Sequence, residues 1–372
     1  MQTPARPTSL PLIILTLVVG VALGWLLNDL LTKPETLLPN TPNNPSTQIV
    51  PSATSEGISQ ATSAPIPSAT TTLVPLPQPT LEPTLEPTPE PTPEPTLEPT
   101  PEPTPEPTPM VLAGYLGYTV QAGDTLAIIA ERTGSTIEAI RDYNKLDNEP
   151  NEGRALVVPQ YTPSQVASEP LLIKRGANKP WVAITLDAGS GSAPVPRMLD
   201  TLRERNIRIT FFLTGRWIRE NPELTRQIVA DGHEIANHST NHPDFTTLDE
   251  AGMRWELADT EAAMQEVAQT TTRPLFRPPY GANNNTVLNT VIGEGYLPIY
   301  WTLDSLDSVG QPKSADFLYD RVTNTLTPEQ LHGAIILAHC GNETTAEAMP
   351  RILDRLLEMG FEIKTVSEVL NG

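Results

Sequence analysis

Apolar positions fall into three regimes along the 372 residues. Leu10 to Leu27 is an almost unbroken apolar run. From Pro34 to Met110 no periodic apolar pattern survives. From Val111 onward the chain alternates between strand-like and helix-like spacing. Within that last regime, 116–161 predicts strand Tyr118 to Val120, then a helix capped by Asp124 and carrying Ala127, Ile128 and Ala130. A second helix follows, with Ser135 and Glu138 spaced as a capping box and Ile137 and Ile140 on one face, before a closing strand Ala155 to Val158. This is a βααβ unit. A second block, 171–372, carries apolar runs at Trp181 to Leu186, Ile207 to Leu213, Leu297 to Leu303 and Ala334 to Leu337 that read as buried strands. Between them Val195, Met198, Leu199, Leu202 and Met349, Ile352, Leu353, Leu356 fall at i, i+3, i+4, i+7. Gly360 ends the later helix before an expected strand Phe361 to Val366. Repeated β/α alternation predicts an α/β parallel sheet or barrel, with its chemistry at the carboxyl ends of the strands.

Composition changes how the first two regimes are read. Residues 10–31 are just long enough for a membrane anchor, and Ala22, Leu23, Gly24 offer a small-x-small site for a cleaved signal instead. The only side-chain charge before the run is Arg6, which favours a cytoplasmic head at 1–9 and an extracytoplasmic remainder. Residues 34–110 hold 22 of the 41 Pro and nine Glu, with no Lys or Arg, and 81–108 comprise seven LEPT or PEPT units. Such a segment cannot bury enough apolar surface to offset ordering entropy and predicts an extended spacer. The net charge of −20 excludes nucleic acid as a partner. The single Cys excludes an internal disulfide and a multi-thiolate zinc site.

Candidate chemistry collects at the predicted strand ends. Asp187 follows the first strand of the second block, His238 and His242 lie in HSTNH, Arg277 begins RPPYG, Asp304 lies in LDSLDS and His339 follows IILA. Two His four apart can share one metal ion from a single turn. Cys340 neighbours His339, but neighbours on a strand face opposite ways, so it predicts an inert buried thiol. His233 and His332 read as packing residues.

The residues YTVQAGDTL, YNKL and GRALVVP resemble a LysM module. That resemblance implies binding of peptidoglycan or another N-acetylglucosamine polymer, with Gly123, Asp124, Thr125, Leu126 and Asn144 at its sugar-contact positions. ITLDAG, GHEIANHSTNH, FRPPYG, WTLDSLDS and IILAH together resemble the five motifs of NodB-homology polysaccharide deacetylases, carbohydrate esterase family 4. That resemblance implies a distorted, incomplete (β/α) barrel and metal-assisted hydrolysis of acetyl groups on glycans. It implies His238 and His242 as ligands of Zn²⁺ or another divalent transition metal. It further implies Asp187 as base held by Arg277, the Tyr280 N–H as an oxyanion donor, and His339 as acid held by Asp304. Leu337 and Pro279 would line the acetyl pocket.

Two positions depart from the motifs. Ala188 stands where the family has a metal-binding Asp, and Ser308 where it has a Trp. The first predicts weakened metal affinity: Asp307 or Asp244, or water, could fill the vacancy, Asp187 could swing onto the metal and stop being a free base, or metal and activity could be lost. The expected function is deacetylation of peptidoglycan N-acetylglucosamine by a membrane-anchored, extracytoplasmic enzyme. The alternatives are a metal-deficient wall-binding protein, or a chitin or O-acetyl-xylan deacetylase.

Overall fold

The structure, a computed structural model, describes residues 110–372. The head, the anchor or signal segment, and the spacer up to 109 lie outside the described residues.

Residues 114–160 form a βααβ unit. Strands β1 (Gly114–Thr119) and β2 (Ala155–Gln160) pair antiparallel, and helices α1 (Leu126–Thr133) and α2 (Ile137–Tyr143) pack on them. Leu116, Leu126, Ile129, Ile140, Leu156 and Val158 form the core. The helix caps differ from the sequence expectation. Thr125, one residue after Asp124, caps α1 by accepting from the Ile128 N–H, and Thr136 rather than Ser135 caps α2 by accepting from Ala139. A hydroxyl reaches back to the N3 amide in both places. Asp124 is occupied elsewhere: its carboxylate accepts from the Tyr118 hydroxyl at 2.6 Å and the Gln121 N–H at 2.9 Å.

The remaining strands build one curled, all-parallel sheet. Its order is β7 (Leu297–Pro298), β6 (Leu275–Phe276), β5 (Glu234–Asn237), β4 (Thr210–Leu213), β3 (Trp181–Ala188), β9 (Ala334–His339) and β8 (Leu303–Asp304). A short β10 (Glu362–Ile363) pairs with the start of β3. This is the distorted, incomplete (β/α) barrel expected from the motifs. Alternation along each strand separates two layers. Val182, Ile184, Leu186 and Ala188 face an outer core shared with the helices at 195–204 and 343–358, whose periodic residues are buried there as predicted. Ala183, Phe212, Ala236 and Ile335 face inward.

Three predicted strands are shorter than expected, the Ile207 to Leu213 run pairing only over Thr210–Leu213. The run Leu297 to Leu303 is broken into β7 and β8, because Pro298 has no N–H to donate and Tyr300 and Trp301 stack on each other at 3.9 Å between the two. The Phe361 to Val366 strand ends at Ile363, since Thr365 starts a helix, Val366–Leu370, with a capping box.

The βααβ unit sits on the amino-terminal ends of the barrel strands. Ala155 and Val157 project from β2 into the barrel's inner cluster, while Leu156 and Val158 project into the unit's own core. This explains why β2 reads as a continuous apolar run, ALVV, rather than an alternating one. The Tyr143 hydroxyl donates to the Gly295 carbonyl at 2.6 Å, and Lys145 pairs with the buried Glu234 at 3.0 Å. Arg154 donates to the Asn371 side chain at 3.0 Å. The connecting segment is tied down as well, for Glu169 accepts from the Thr119 hydroxyl at 2.6 Å.

Candidate active site

Neighbouring strands in parallel register bring the first pair of expected catalytic residues together. Asp187 on β3 lies opposite His339 on β9, and Thr185 opposite Leu337 one step below. Arg277 follows β6 and is wholly buried, with its guanidinium 3.9 Å from the Phe212 ring. Its Nη1 donates to Asp187 Oδ1 at 2.6 Å and to the Thr185 hydroxyl at 2.8 Å, fixing the carboxylate toward the barrel mouth. Burial weakens the guanidinium's hold on its proton, and the adjacent Asp187 carboxylate partly restores it. A buried Arg with this partner remains charged.

His238 follows β5. Its Nδ1 is 2.9 Å from the Arg277 carbonyl, which can only accept, so the proton is assigned to Nδ1 and Nε2 presents a lone pair. That lone pair lies 3.5 Å from Asp187 Oδ2. Burial, opposed by the Asp187 charge, pushes the His238 pKa down to about 4, so the imidazole is neutral at pH 7. His242 sits beside it, with ring centroids 4.8 Å apart. Burial also lowers the His242 pKa.

The turn that carries both imidazoles requires left-handed backbone at Ser239 and His242. It is fastened by Glu256, which the sequence reading did not single out. The buried Glu256 carboxylate accepts from the backbone N–H groups of Thr240 and Asn241 at 2.7 and 2.8 Å, and from the Asn241 amide at 3.0 Å. Glu256 lies on the 19-residue helix Glu250–Ala268, also not predicted. The one available signal is a Glu within an otherwise buried helical face, at Met253, Leu257 and Thr260.

His339, the expected acid, is held by a different carboxylate from the one expected. Asp307 Oδ1, not Asp304, lies 2.7 Å from His339 Nδ1. The other Asp307 oxygen accepts from the His339 N–H at 2.8 Å and the Thr345 hydroxyl at 2.6 Å. Asp304 instead accepts from the Leu306 N–H and closes a tight turn, in which Leu306 takes φ 63° and swings Asp307 inward. Burial alone would lower the His339 pKa, but the hydrogen bond and charge of Asp307 outweigh it and raise the value above that of an ordinary histidine. Burial likewise works against ionisation of Asp307, and bonding to His339 more than offsets it, so its pKa is lowered.

Pro279 is buried and Tyr280 takes φ 59°, leaving its side chain 70% exposed, with its ring 4.5 Å from that of His242. A Cβ on Gly281 would strike the Tyr300 and Trp301 rings, so this turn is packed directly on the aromatic stack. Leu337 is buried on the same strand face as His339. Cys340 is buried in the outer core and burial raises its thiol pKa, which fits an inert role. His233 accepts from the Ile209 N–H and His332 packs against Phe361, both as expected of packing residues.

The donor set does not fit a firmly resident divalent cation. Ala188 is fully buried in the outer core. Asp307 is consumed by His339 and Thr345, and Asp244 caps the turn at 245–247 through the Thr246 N–H. Asp307 has both oxygens engaged, Asp244 commits one oxygen to its cap, and among the described residues no group of three or more His, Cys, Asp or Glu side chains is gathered to hold a metal ion. Two neutral imidazoles leave a divalent charge uncompensated unless Asp187, whose Oδ2 lies 3.5 Å from His238 Nε2, turns to the ion and gives up its place as a free base.

The expected sugar contacts of the βααβ unit also divide. Gly123, with φ 82°, and Thr125 are exposed. Leu126 is a core residue and the Asp124 carboxylate is spent internally. Asn144 is corrected from a sugar contact to a brace. It is 3% exposed, its amide donates to the carbonyls of Ile140 and Val157, and its oxygen accepts from the Val157 N–H.

Residues 174–299 match the polysaccharide deacetylase family model, and residues 118–159 match the LysM domain model. The chain is 30% identical over 220 residues to the uncharacterized protein YlxY of Bacillus subtilis, an alignment covering 58% of this chain and 66% of that one. It is 32% identical over 211 residues to the peptidoglycan-N-acetylglucosamine deacetylase PgdA of Listeria monocytogenes, covering 56% of this chain and 42% of PgdA. Among solved structures it is similar to BA3943 of Bacillus anthracis, described as a CE4 family pseudoenzyme, with 28% identity and a TM-score of 0.51 over 63% of this chain and 81% of that one. A BA3943 mutant described as having restored enzymatic activity is equally similar, at 29% identity and a TM-score of 0.51, covering 63% of this chain and 84% of the mutant.

Proposed function

Because the chain belongs to the polysaccharide deacetylase family and carries a LysM domain, we propose that it grips N-acetylglucosamine-containing wall glycan, peptidoglycan foremost, and removes acetyl groups from it slowly. The observation that carries this reading is the survival of both proton-transfer pairs, Arg277–Asp187 and Asp307–His339, side by side in strand register. Asp187 would take the proton of an attacking water, with Arg277 aiming the carboxylate. His339 would protonate the departing sugar nitrogen, and Asp307 would stabilise the imidazolium. The Tyr280 N–H, in its left-handed turn, would receive the developing oxyanion. The turnover is slow because the donor set at His238 and His242 lacks the carboxylate that Ala188 replaces. The apolar segment at 10–31 and the spacer at 34–110 would place the activity outside the cell membrane, on a single-pass anchor or after signal cleavage.

Acetate release from peptidoglycan fragments by the full chain, compared with His339→Gln and Asp187→Asn, tests the proposal. Release at least tenfold above both variants is expected. Release no greater than theirs would favour the second reading, a glycan-binding wall protein without hydrolysis. That reading is supported by Ala188 and by the likeness to the B. anthracis protein described as a pseudoenzyme.

A further inference from the structure

The loop after β8 departs from its motif at Ser308, and the departure puts a hydroxyl at the barrel mouth. Ser308 is exposed, and its Oγ lies 3.5 Å from Nε2 of His339. The other imidazole nitrogen is 2.7 Å from Asp307, whose side chain is 0% exposed. Asp307 cannot swing away, because the His339 N–H and the Thr345 hydroxyl fix its second oxygen. A hydroxyl facing one imidazole nitrogen, with a buried carboxylate on the other, is the arrangement that activates a serine for nucleophilic attack. At 3.5 Å the hydroxyl stands just outside a formed hydrogen bond, a gap that rotation of an exposed serine side chain can close. None of the three groups depends on the incomplete donor set at His238 and His242.

We propose that Ser308, His339 and Asp307 form a nucleophilic triad that hydrolyses O-acyl esters of glycan hydroxyls. His339 Nε2 takes the Ser308 proton while Oγ bonds to the acyl carbonyl carbon. The ester C–O bond then breaks, and the leaving sugar oxygen receives that proton, giving free alcohol and acyl-Ser308. Water, deprotonated by the same nitrogen, attacks the acyl carbon, and the acid leaves as Ser308 recovers its hydrogen. Every atom comes from ester and water. An ester suits the site because an alkoxide oxygen leaves more readily than an amide nitrogen, and His339 already carries the one proton it takes. The activity goes beyond the proposed deacetylation and shares only His339 and Asp307 with it.

The test treats the full-length chain, in EDTA, with a fluorophosphonate probe and maps the adduct by peptide mass spectrometry. The expected result is a label on Ser308 that is absent in Ser308→Ala and forms at least tenfold more slowly in His339→Gln, accompanied by a tenfold loss of 4-nitrophenyl acetate hydrolysis in Ser308→Ala. Absence of label from Ser308, or a label that forms at the wild-type rate in His339→Gln, would overturn the triad. Ser308 is exposed, so its replacement leaves the fold intact. Because the readout is a covalent adduct, it succeeds or fails whether or not N-acetyl hydrolysis is detected.

Discussion

At the scale of single residues, Ala188 and Asp307 decide what the barrel mouth can do. Placing a carboxylate at the fully buried position 188 costs about 2–4 kcal/mol unless a cation meets it. Ala188→Asp is therefore expected to lower the melting temperature by about 5–10 °C in EDTA, and to recover at least half of that on addition of zinc. Calorimetry with and without zinc checks this; a loss that zinc does not reverse would show that His238 and His242 cannot join a third ligand. For His339 the sign follows from its raised pKa. The imidazolium is favoured in the folded state, so its stabilising contribution is complete below the unfolded value of about 6.5 and disappears as pH rises through the higher folded value. The proposed acid catalysis by His339 would be lost over the same rise. Asp307→Asn removes the charge responsible and should move the alkaline limb of kcat/KM to lower pH. The same residues mark where reading from sequence reaches and where it stops. Asp187, Arg277, His238, His242 and His339 were legible as candidates because each lies at or just beyond the carboxyl end of a strand within a recognisable motif. The partner of His339 was not, because DSLD offers two carboxylates three apart, and only the left-handed turn at Leu306 selects between them.

At the scale of elements, the site depends on a helix with no reacting residue of its own. Glu256 ties the helix at 250–268 to the turn that presents His238 and His242. Glu256→Ala would leave two backbone N–H groups without their acceptor, at a cost of about 2–4 kcal/mol. Faster hydrogen exchange at Thr240 and Asn241 than elsewhere in the barrel is the expected signature, and a uniform change across the barrel would contradict it. Helix faces at 195–204 and 343–358 were legible from period alone, since a one-sided apolar stripe has a single way to be buried. Strand lengths were less so. Leu297 to Leu303 is apolar enough for one strand, yet Pro298 and the Tyr300–Trp301 stack break it, and that stack in turn supports the Pro279–Gly281 turn.

At the scale of the whole described region, the LysM unit and the barrel share a core rather than a linker. Val157 and Ala155 belong to the same apolar cluster as Phe212 and Ala236, and ion pair and hydrogen bonds surround it. Heating should therefore unfold the two as one cooperative transition. Val157→Asp, which puts a charge into that shared cluster, should split the transition in two; two transitions already present in the wild type would contradict the shared core. Sequence alone could not show this union, because an apolar strand looks the same whether one core or two cores bury it.

The docking has a consequence for how the wall itself would be handled. The LysM unit is seated at the amino-terminal ends of the strands, on Glu234 and Gly295, while Asp187 and His339 lie at the opposite, carboxyl-terminal ends. The eight residues of β3 alone separate those ends by about 25 Å. A polymer held by the module would thus lie several sugar rings away from the reacting groups, behind a packed barrel, with no hinge to bring them together. The hand that holds and the hand that works would grasp different threads: one strand as a handrail, its neighbour as the workpiece.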